Sequence, residues 1–454
     1  MQHCTCGCAA RWCARADALL RVPGFHVVEV IERPVDRVAR LRRLELVVET
    51  DDEAAGCPSC GVLAVGHGRR EHFAADAPCF GVSTIIRWRK RVWRCPEPAC
   101  PTVTFSEQHP FVPARANLTA RAVVWATDAL EHDDTTVAAL ARHLGVDWHT
   151  CWDAVEREAA RRLARPGRLA GIRALGVDEH VWRPSKVGAK DRAVTGVVDL
   201  TRDEHGNLHA RLLDVVVGRS GTAYAAWLQQ QTREFVDGIE HASLDPFRGY
   251  ANAIRDELPD SVAVLDAFHV VRLGTQVVDE VRRRVQQDTL GHRGFKDDPL
   301  YRIRGLLCRG AEHLNDRQLA KLNRCLHAGD PSWEVTIAWH AYQQLRATYQ
   351  ASDPAAGRRL AEELIATLPT CPVPEVARLG RTLRSWQTHV LARFATAEIG
   401  AGRISNGGTE AVNLLIEKVR RLAHGFRTFE HYRLRILLTA AGTRRYRPRP
   451  RLDP

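Results

Sequence analysis

From Ile172 onward the chain alternates short β-rich runs with one helical stretch, and this alternation constrains the fold more than any other feature. The runs are IRALGVDEHVW, RAVTGVVDL and HARLLDVVVG, then a helix around Tyr224 to Gln231, then IEHASLD and SVAVLDAFHV. Short apolar runs rich in β-branched residues and bounded by polar or glycine residues predict strands. We therefore predict an α/β domain with the order strand–strand–strand–helix–strand, followed by one further strand.

Acidic residues stand at the ends of two of these runs. Asp178 ends the run ALGV, and Asp245 ends the fourth predicted strand. Glu410 lies near the start of a strongly amphipathic helix. The apolar stripe of that helix is predicted to be Leu414, Leu415, Val419 and Leu422. Hard divalent cations prefer carboxylate oxygens, and two-metal phosphoryl transfer requires acids that converge in this way. A single aspartate at a strand end is weak evidence for a metal site, whereas three acids in this order are specific evidence for one.

Two cysteine pairs predict a structural zinc site. Cys57 and Cys60 form a C-x-x-C knuckle, followed by Gly61, which allows a tight turn. Cys95 and Cys100 follow the basic run RWRKRVW and are separated by four residues, two of them proline. Four thiolates in two such pairs suit a tetrahedral Zn²⁺ ion, which stabilises modules too small to hold themselves together. The alternative is a set of free surface thiols.

The other features of the N-terminus carry less information. The 13 cysteines cluster towards an N-terminus without a secretory signal, and no apolar stretch approaches the length of a membrane span. We therefore predict a cytoplasmic protein that is not associated with a membrane and whose cysteine clusters bind metal. The spacing of the upstream group fits no motif, and we assign no function to Cys4, Cys6, Cys8 and Cys13.

A helix-turn-helix is predicted from Thr136 to Trp152. One helical face carries the apolar residues Val137, Leu140, Ala141 and Leu144. Gly145 would supply the turn, and Asp147 would cap a second helix that carries Trp148, His149 and Trp152. Such a second helix commonly enters the major groove of DNA. The alternative is an ordinary helical hairpin inside a core.

The net charge also favours a nucleic-acid partner. The chain has 65 Lys and Arg against 54 Asp and Glu, for a formal charge of +11. Clustered cations gain free energy by releasing counterions from phosphates. The excess is modest for a chain of this size, and its arginine bias is also what a GC-rich genome would produce.

Four sequence blocks together resemble a known family. They are CPSCG with RVWRCPEPACPTVTFSE, the strand GVDEHVW, the segment SLDPFRGYANAIRDELPDSVAVLDAFHVVRL, and SNGGTEAVNLLIEKVRRLAHGFRTFEHYRLRILL. They run in order from about Cys57 to Leu438, and the whole chain is similar to the ISL-three family of bacterial insertion-sequence transposases. The resemblance implies a DDE enzyme with an RNase H-like core that a helical insertion interrupts before the glutamate.

On that pattern Asp178 is the first catalytic acid and Glu410 the third. The second is Asp245, at the end of the fourth strand, with Asp266 on the fifth strand as the alternative. Asp266 and its neighbour His269 would otherwise orient metal ligands or substrate, or merely pack. Asn413 and Glu417 share a helical face with Glu410 and could support it, although a solvated or capping role is the favoured interpretation of Glu417. Asn406 is expected to cap the helix, with a backbone amide near a DNA phosphate as the alternative.

The sequence thus predicts a multidomain α/β protein: an RNase H-like mixed sheet with a helical insertion, preceded by a zinc-binding module and a helix-turn-helix. The expected divisions are an N-terminal segment (1–50), the zinc-finger-like module (51–112), the helix-turn-helix domain (113–165), the first part of the catalytic core (170–272), the helical insertion (273–400), the last core helices (401–440) and a disordered basic tail (441–454).

The resemblance implies a DNA transposase of the bacterial cytoplasm, associated with the nucleoid. It would bind the terminal inverted repeats of an insertion sequence, hold two Mg²⁺ ions (with Mn²⁺ as a substitute) on Asp178, Asp245 and Glu410, and join the cut ends to target DNA as a homo-oligomer. Two alternatives stand beside it. One is an inactive, domesticated transposase that regulates by binding DNA, and the other is an RNase H-like nuclease that cuts without joining.

Overall fold

A computed structural model describes residues 12, 14–36, 41–51, 53–183, 192–398 and 406–442. The chain divides into two compact units, Met1–Arg168 with Arg421–Gly425, and Leu169–Arg420 with Phe426–Pro454. The upstream cysteines Cys4, Cys6, Cys8 and Cys13, and residues 443–454 of the predicted tail, lie outside the described residues. None of the helices within the described ranges is long and apolar enough to cross a membrane.

The first unit contains a five-stranded sheet and a short helix, α1 (Ala14–Leu20). Its strands are β1 (Phe25–Asp36), β2 (Leu41–Thr50), β3 (Val65–Cys79), β4 (Val82–Arg94) and β5 (Thr104–Ser106). Their order is β1-β2-β4-β3, with β5 on β4, and β2 and β4 run parallel. Alternate residues of β4 point inward, so that Ile86 and Trp88 pack with Phe25 and Val48 in the core. The predicted boundary at residue 50 therefore falls between two strands of one sheet.

Three helices complete the first unit: α2 (Ala120–His132), α3 (Val137–Leu144) and α4 (Trp148–Leu163). Helix α3 ends at Gly145, whose φ of 70° is the left-handed conformation that glycine adopts without strain. Asp147 caps α4 by accepting a hydrogen bond from the Thr150 amide at 2.9 Å. The predicted apolar face of α3 is buried, which confirms the helix-turn-helix geometry. Trp152 of α4 is buried as well.

The second unit is built on a five-stranded mixed sheet. Its strands are β6 (Ala174–Val181), β7 (Ala193–Asp199), β8 (Arg211–Val217), β9 (His241–Leu244) and β10 (Val262–Leu265). Their order is β10-β9-β6-β7-β8, in which β6, β9 and β10 are parallel and β7 is antiparallel to both its neighbours. Between β8 and β10 lie α5 (Gly221–Gln229), α6 (Arg233–Asp237) and α7 (Arg248–Glu257). This topology confirms the predicted RNase H-like sheet.

A helical insertion follows β10 directly and confirms the helical prediction for that stretch. Its helices are α8 (Ala267–Leu290), α9 (Pro299–Arg302), α10 (Arg304–Leu307), α11 (Asp316–Gly329), α12 (Glu334–Gln350), α13 (Pro354–Thr367), α14 (Pro374–Ser385) and α15 (Gln387–Glu398). Val278 and Val281 of α8 and Tyr342 and Leu345 of α12 belong to the same hydrophobic core as the sheet. The insertion is therefore packed as a continuation of the core.

Helices α16 (Gly407–Leu422) and α17 (Phe429–Ala440) bring the chain back to the sheet. The predicted apolar stripe of α16 is right for Val419, which is buried, but wrong for Leu414, which is 72% exposed, because the structure buries Val412 and Ile416 instead. Helix α17 is joined to β8 by two hydrogen bonds from Arg433 to the Asp214 carboxylate, at 2.7 and 2.8 Å.

Candidate active site and four-cysteine cluster

Strand register brings three aspartates to one edge of the second sheet. Strands β6 and β9 are parallel with Val177 opposite Leu244, so the next residues, Asp178 and Asp245, are neighbours across the two strands. Leu244 is also opposite Leu265 on β10, which places Asp266 beside Asp245. Sequence analysis expected Asp178 at a strand end, whereas β6 continues past it to Val181. The juxtaposition follows from the parallel pairing of strands that lie far apart in the sequence.

Asp178 is largely buried and lies near a second carboxylate, that of Asp245. Its pKa is raised to about 7, first because the carboxyl is buried and next because Asp245 adds a like charge nearby. One oxygen accepts a hydrogen bond from Asn413 Nδ2 at 2.6 Å, and the other accepts one from the Glu179 amide at 2.7 Å. Asn413 was expected to support Glu410, but its side chain donates this hydrogen bond to Asp178.

Asp266 is held by the protein itself. The residue is only 2% exposed and caps the N-terminus of α8. One of its oxygens accepts from the Asn406 amide at 2.8 Å, and the other accepts from the amide and the Nδ1 of His269 at 3.3 and 3.1 Å. Burial alone would raise the pKa of Asp266, but the hydrogen bonds from His269 and the Asn406 amide outweigh it, and the pKa is lowered.

Asp245 is more accessible than Asp266, because its side chain keeps 20% of its surface exposed. His269 Nδ1 lies 2.8 Å from one of its oxygens, and Asn406 Nδ2 donates to the same oxygen at 3.3 Å. Hydrogen bonds to Asp245 and Asp266 raise the pKa of His269 to about 10, so this ring is an imidazolium that bridges the two carboxylates.

Glu410 reaches the aspartates from the first turn of α16. Burial raises its pKa, and the negative charges of Asp266 and Asp245 raise it further. The helix can approach the sheet so closely only because Gly176 has no side chain. A β-carbon there would lie 2.3 Å from Thr409 Oγ1 and 3.1 Å from Asn406 Oδ1. Gly176 was not recognised as a site residue, although a glycine inside a buried strand signals such close approach.

Two other interpretations are resolved by these contacts. Asn406 precedes α16 as expected of a cap, and its carbonyl oxygen accepts from the Glu410 amide at 2.9 Å, while its own amide is buried and donates to Asp266. Glu417 forms an ion pair with Arg420, with Nε–Oε2 at 2.7 Å, as expected for a residue on the outer side of a helix.

In the first unit the four predicted zinc ligands form one cluster. The sulfur atoms of Cys57, Cys60, Cys95 and Cys100 all lie within 4.8 Å of one another. The Cys57–Cys100 and Cys60–Cys95 sulfur distances are 3.7 and 3.5 Å. Burial opposes ionisation of Cys57, but hydrogen bonds from the backbone amides of Ser59 and Cys60 outweigh it and lower the thiol pKa. This is the knuckle geometry expected of a zinc-finger thiolate.

Known family models match parts of both units of the chain. Residues 175–436, more than half of the chain, match a family model of the ISL3 group described as "Transposase". The chain belongs to this transposase family. Residues 107–159 match the helix-turn-helix domain of transposase family ISL3. Residues 53–100 match the zinc-finger of the IS204/IS1001/IS1096/IS1165 transposases and include all four clustered cysteines.

Individual relatives of this transposase are distant in sequence but similar in extent. The transposase for insertion sequence element IS1001 of Bordetella parapertussis is 23% identical over 425 residues, which cover 92% of this chain and 96% of the relative. The transposase for IS1557 of Mycobacterium tuberculosis is 26% identical over 358 residues, or 72% of this chain and 76% of the relative. Among solved structures, the Drosophila P element transposase strand transfer complex is 9% identical with a TM-score of 0.39, covering 70% of this chain and 91% of that one.

Proposed function

We propose that this transposase binds double-stranded DNA at the terminal inverted repeats of an insertion sequence, cuts it in a metal-dependent reaction, and transfers the cut strand to target DNA. The observation that carries the proposal is the strand register that places Asp178 beside Asp245, next to the first turn of the helix that bears Glu410. Membership in the transposase family supports it independently.

Asp178, Asp245 and Glu410 are proposed to hold two Mg²⁺ ions, which Mn²⁺ can replace. The residues fit such ions: all three offer carboxylate oxygens, and the pKa of both Asp178 and Glu410 is raised first by burial and then by nearby negative charge, which a divalent cation would balance. When bound, two such ions activate an attacking oxygen and stabilise a leaving one.

The surrounding residues orient these carboxylates. Asp266 has both oxygens engaged by His269 and Asn406, so we propose it as a positioning residue and assign the second metal-binding acid to Asp245. His269 would fix the Asp245 carboxylate, and Asn413 would fix that of Asp178. Because these contacts preset the acids, little reorganisation would accompany the reaction.

DNA recognition is assigned to the first unit. We propose that α4 enters the major groove with exposed residues such as His149, whereas the buried Trp152 holds the helix in place. The four-cysteine cluster is proposed to bind structural Zn²⁺. Joining an element requires both of its ends, so we propose that at least two copies act together.

The test is cleavage of a labelled duplex carrying the element's own end, with Mg²⁺ or Mn²⁺. Asp178→Asn, Asp245→Asn and Glu410→Gln should each lose on the order of 10³-fold or more in cleavage while still binding DNA. Asp266→Asn should lose less, because it acts through Asp245 and His269. Asp260→Asn is the matched control, since this exposed acid precedes β10 at the end of the strand away from the site.

Three outcomes would contradict the proposal. An inactive Asp266→Asn beside an active Asp245→Asn would exchange the roles of those acids. Wild-type protein that binds the end but never cuts would be a DNA-binding regulator. Cleavage without any strand-transfer product, with a supplied target duplex, would indicate a nuclease.

A further inference from the structure

The tip of the β3–β4 hairpin carries a residue that the fold does not account for. Phe80 is 90% exposed and forms with Gly81 the two-residue turn between the paired Cys79 and Val82. Both turn residues have positive φ, 51° and 79°, which defines a type I′ turn. Such turns favour Asn-Gly, because a side chain with a β-carbon is strained at positive φ unless it is Asn or Asp. Neither burial nor backbone preference explains a phenylalanine here.

This tip lies beside the helix-turn-helix, within the first unit. Ser83, two residues after Gly81, donates a hydrogen bond from Oγ to the carbonyl oxygen of His143 at 2.7 Å. Arg43 pairs with Ser83 in the β2–β4 register, and its Nη2 would be 3.0 Å from a β-carbon at Gly145. The hairpin tip and the turn between α3 and α4 therefore form one continuous edge.

The charge of this edge is positive. Arg33 and Arg87 are each paired with Glu45, at 2.6 and 3.1 Å, but within the described ranges no carboxylate pairs with Arg43. The Arg43 Nε atom is buried and has no hydrogen-bond partner. Arg142 is exposed on the last turn of α3. The nearby carboxylate of Asp147 is occupied by Thr150, which donates from both its amide and its hydroxyl.

We propose that this hairpin edge, defined by Arg43, Phe80 and Arg142, is a second DNA-binding site that extends the footprint of the helix-turn-helix. Arg43 contacts a backbone phosphate, and the Phe80 ring enters the adjacent groove against sugar and base surfaces. Duplex DNA is the occupant because the edge is cationic and continuous with the helix-turn-helix. The inference rests on the proposed function, since it assumes that the first unit binds DNA.

The decisive variant is Phe80→Asn in the full-length, zinc-loaded protein, with the labelled element end as probe. Asparagine suits the type I′ turn, so the thermal midpoint should rise or stay constant. The affinity for the end should nevertheless fall about tenfold, because the apolar contact is lost. Phe73→Ala is the matched control: it removes an aromatic ring that is 51% exposed on the same β3 strand but far from the tip. Its affinity should equal that of wild type.

A second pair of variants tests the phosphate contact. Arg43→Gln should reduce the slope of log affinity against log salt by about 0.9, the value for one phosphate. Arg33→Gln, which removes an arginine already paired with Glu45, should leave the slope unchanged.

The outcomes separate this inference from the proposed function. If wild type prefers the element end over a scrambled duplex but Phe80→Asn and Arg43→Gln bind it equally well, only the hairpin site is refuted. If Phe80→Asn changes the sedimenting mass and not the DNA affinity, the tip contacts protein, and the inference is equally refuted. If wild type shows no preference for the end, the proposed function falls and this inference falls with it.

Discussion

The four-cysteine cluster and the carboxylate site are both suited to metal ions, but they are built in opposite ways. The cysteines come from two turns, with Cys57 and Cys100 separated by 43 positions, and Cys60 is exposed. The acids stand on the buried strands and helices of the main core, and Asp178 and its partner Asn413 are 235 positions apart. In the first site the ligands are held by two short turns and a few hydrogen bonds, such as Ser59 Oγ–Thr102 Oγ1 at 2.6 Å, whereas in the second the packed sheet and helices of the domain hold them.

This difference predicts that removing the metal would have a different consequence at each site. Few apolar contacts hold the segment around the cysteines, so a cation bound there would contribute to its folding. Loss of that cation should therefore unfold the segment. The carboxylates are already oriented by His269, Asn406 and Asn413. Loss of cations from this site should therefore abolish cleavage while the fold stays intact. Three measurements test this contrast.

The largest effect is expected from zinc removal. Chelation, or Cys100→Ser, should unfold the segment around the cluster and abolish binding to the element end, since structural Zn²⁺ contributes roughly 10 kcal/mol or more in small zinc modules. Hydrogen exchange should show the loss of protection in β3 to β5 and none in β6 to β10. Cys308→Ser, which removes an exposed thiol of the second unit, is the control and should change neither. A chelated protein with unchanged protection in β3 to β5 would refute the contrast.

The next largest effect is expected from Gly176→Ala. The added carbon would lie 2.3 Å from Thr409 Oγ1 and 2.7 Å from Leu200 Cδ1, so the first turn of α16 must move. We expect a stability loss of about 1–3 kcal/mol and a fall in cleavage of about 10²-fold, with DNA binding retained. Gly305→Ala is the control, because a β-carbon there meets nothing within 4 Å. Normal cleavage by the Gly176→Ala variant would mean that cleavage does not require the first turn of α16, which carries Glu410, to lie this close to β6.

The smallest effect concerns the pH dependence of the part of the first unit that lies outside the cysteine cluster. His26 joins α1 to the end of β2, with Nδ1 2.8 Å from Asp17 and Nε2 2.6 Å from Asp51. Burial opposes the charged ring, but hydrogen bonds to Asp51 and Asp17 outweigh it and raise the His26 pKa. A raised pKa stabilises the fold fully below about pH 6.5, and this contribution is lost as pH rises through the folded-state pKa.

The variant that tests it is His26→Gln, studied by denaturant unfolding between pH 5 and pH 9. We expect it to lose no more than about 1 kcal/mol, and only on the acid side, because the pair is partly solvent-screened. The exposed His67 on β3 provides the control, His67→Gln, which should follow the wild-type profile. Equal losses at pH 5 and pH 9 would mean that His26 acts by packing alone.

Local signals in the sequence predicted most of the architecture. Alternating apolar runs located β6 to β10, and Gly145 with Asp147 located the helix-turn-helix, because strand alternation and helix capping depend on neighbouring residues. The face of α16 could not be determined in this way. The segment VNLLIEKVRRL offers two apolar stripes at helical spacing, and only contact with the sheet selects Val412, Ile416 and Val419 over Leu414.

The sequence was sufficient to propose the candidate acids, but not the hydrogen-bond network around them. That Asp266 is fully hydrogen-bonded while Asp245 stays accessible depends on contacts of Asn406 across 140 and 161 positions. No periodic pattern encodes such contacts, because they arise only once β9, β10 and α16 meet. The choice between the two aspartates therefore rests on tertiary structure and remains a prediction until the variants are assayed.

Because of the helical insertion between β10 and α16, the third candidate acid is translated long after the helix-turn-helix and the first acid. The helix-turn-helix is complete at Leu163, the first candidate acid follows at Asp178, and the third comes only at Glu410, after every helix of the insertion. Any translation product that stops between residues 168 and 410 carries the helix-turn-helix without the third acid. Under the proposed function, such a product would compete for the same DNA ends without cutting them. A premature stop codon would then make the product an inhibitor of the full-length enzyme.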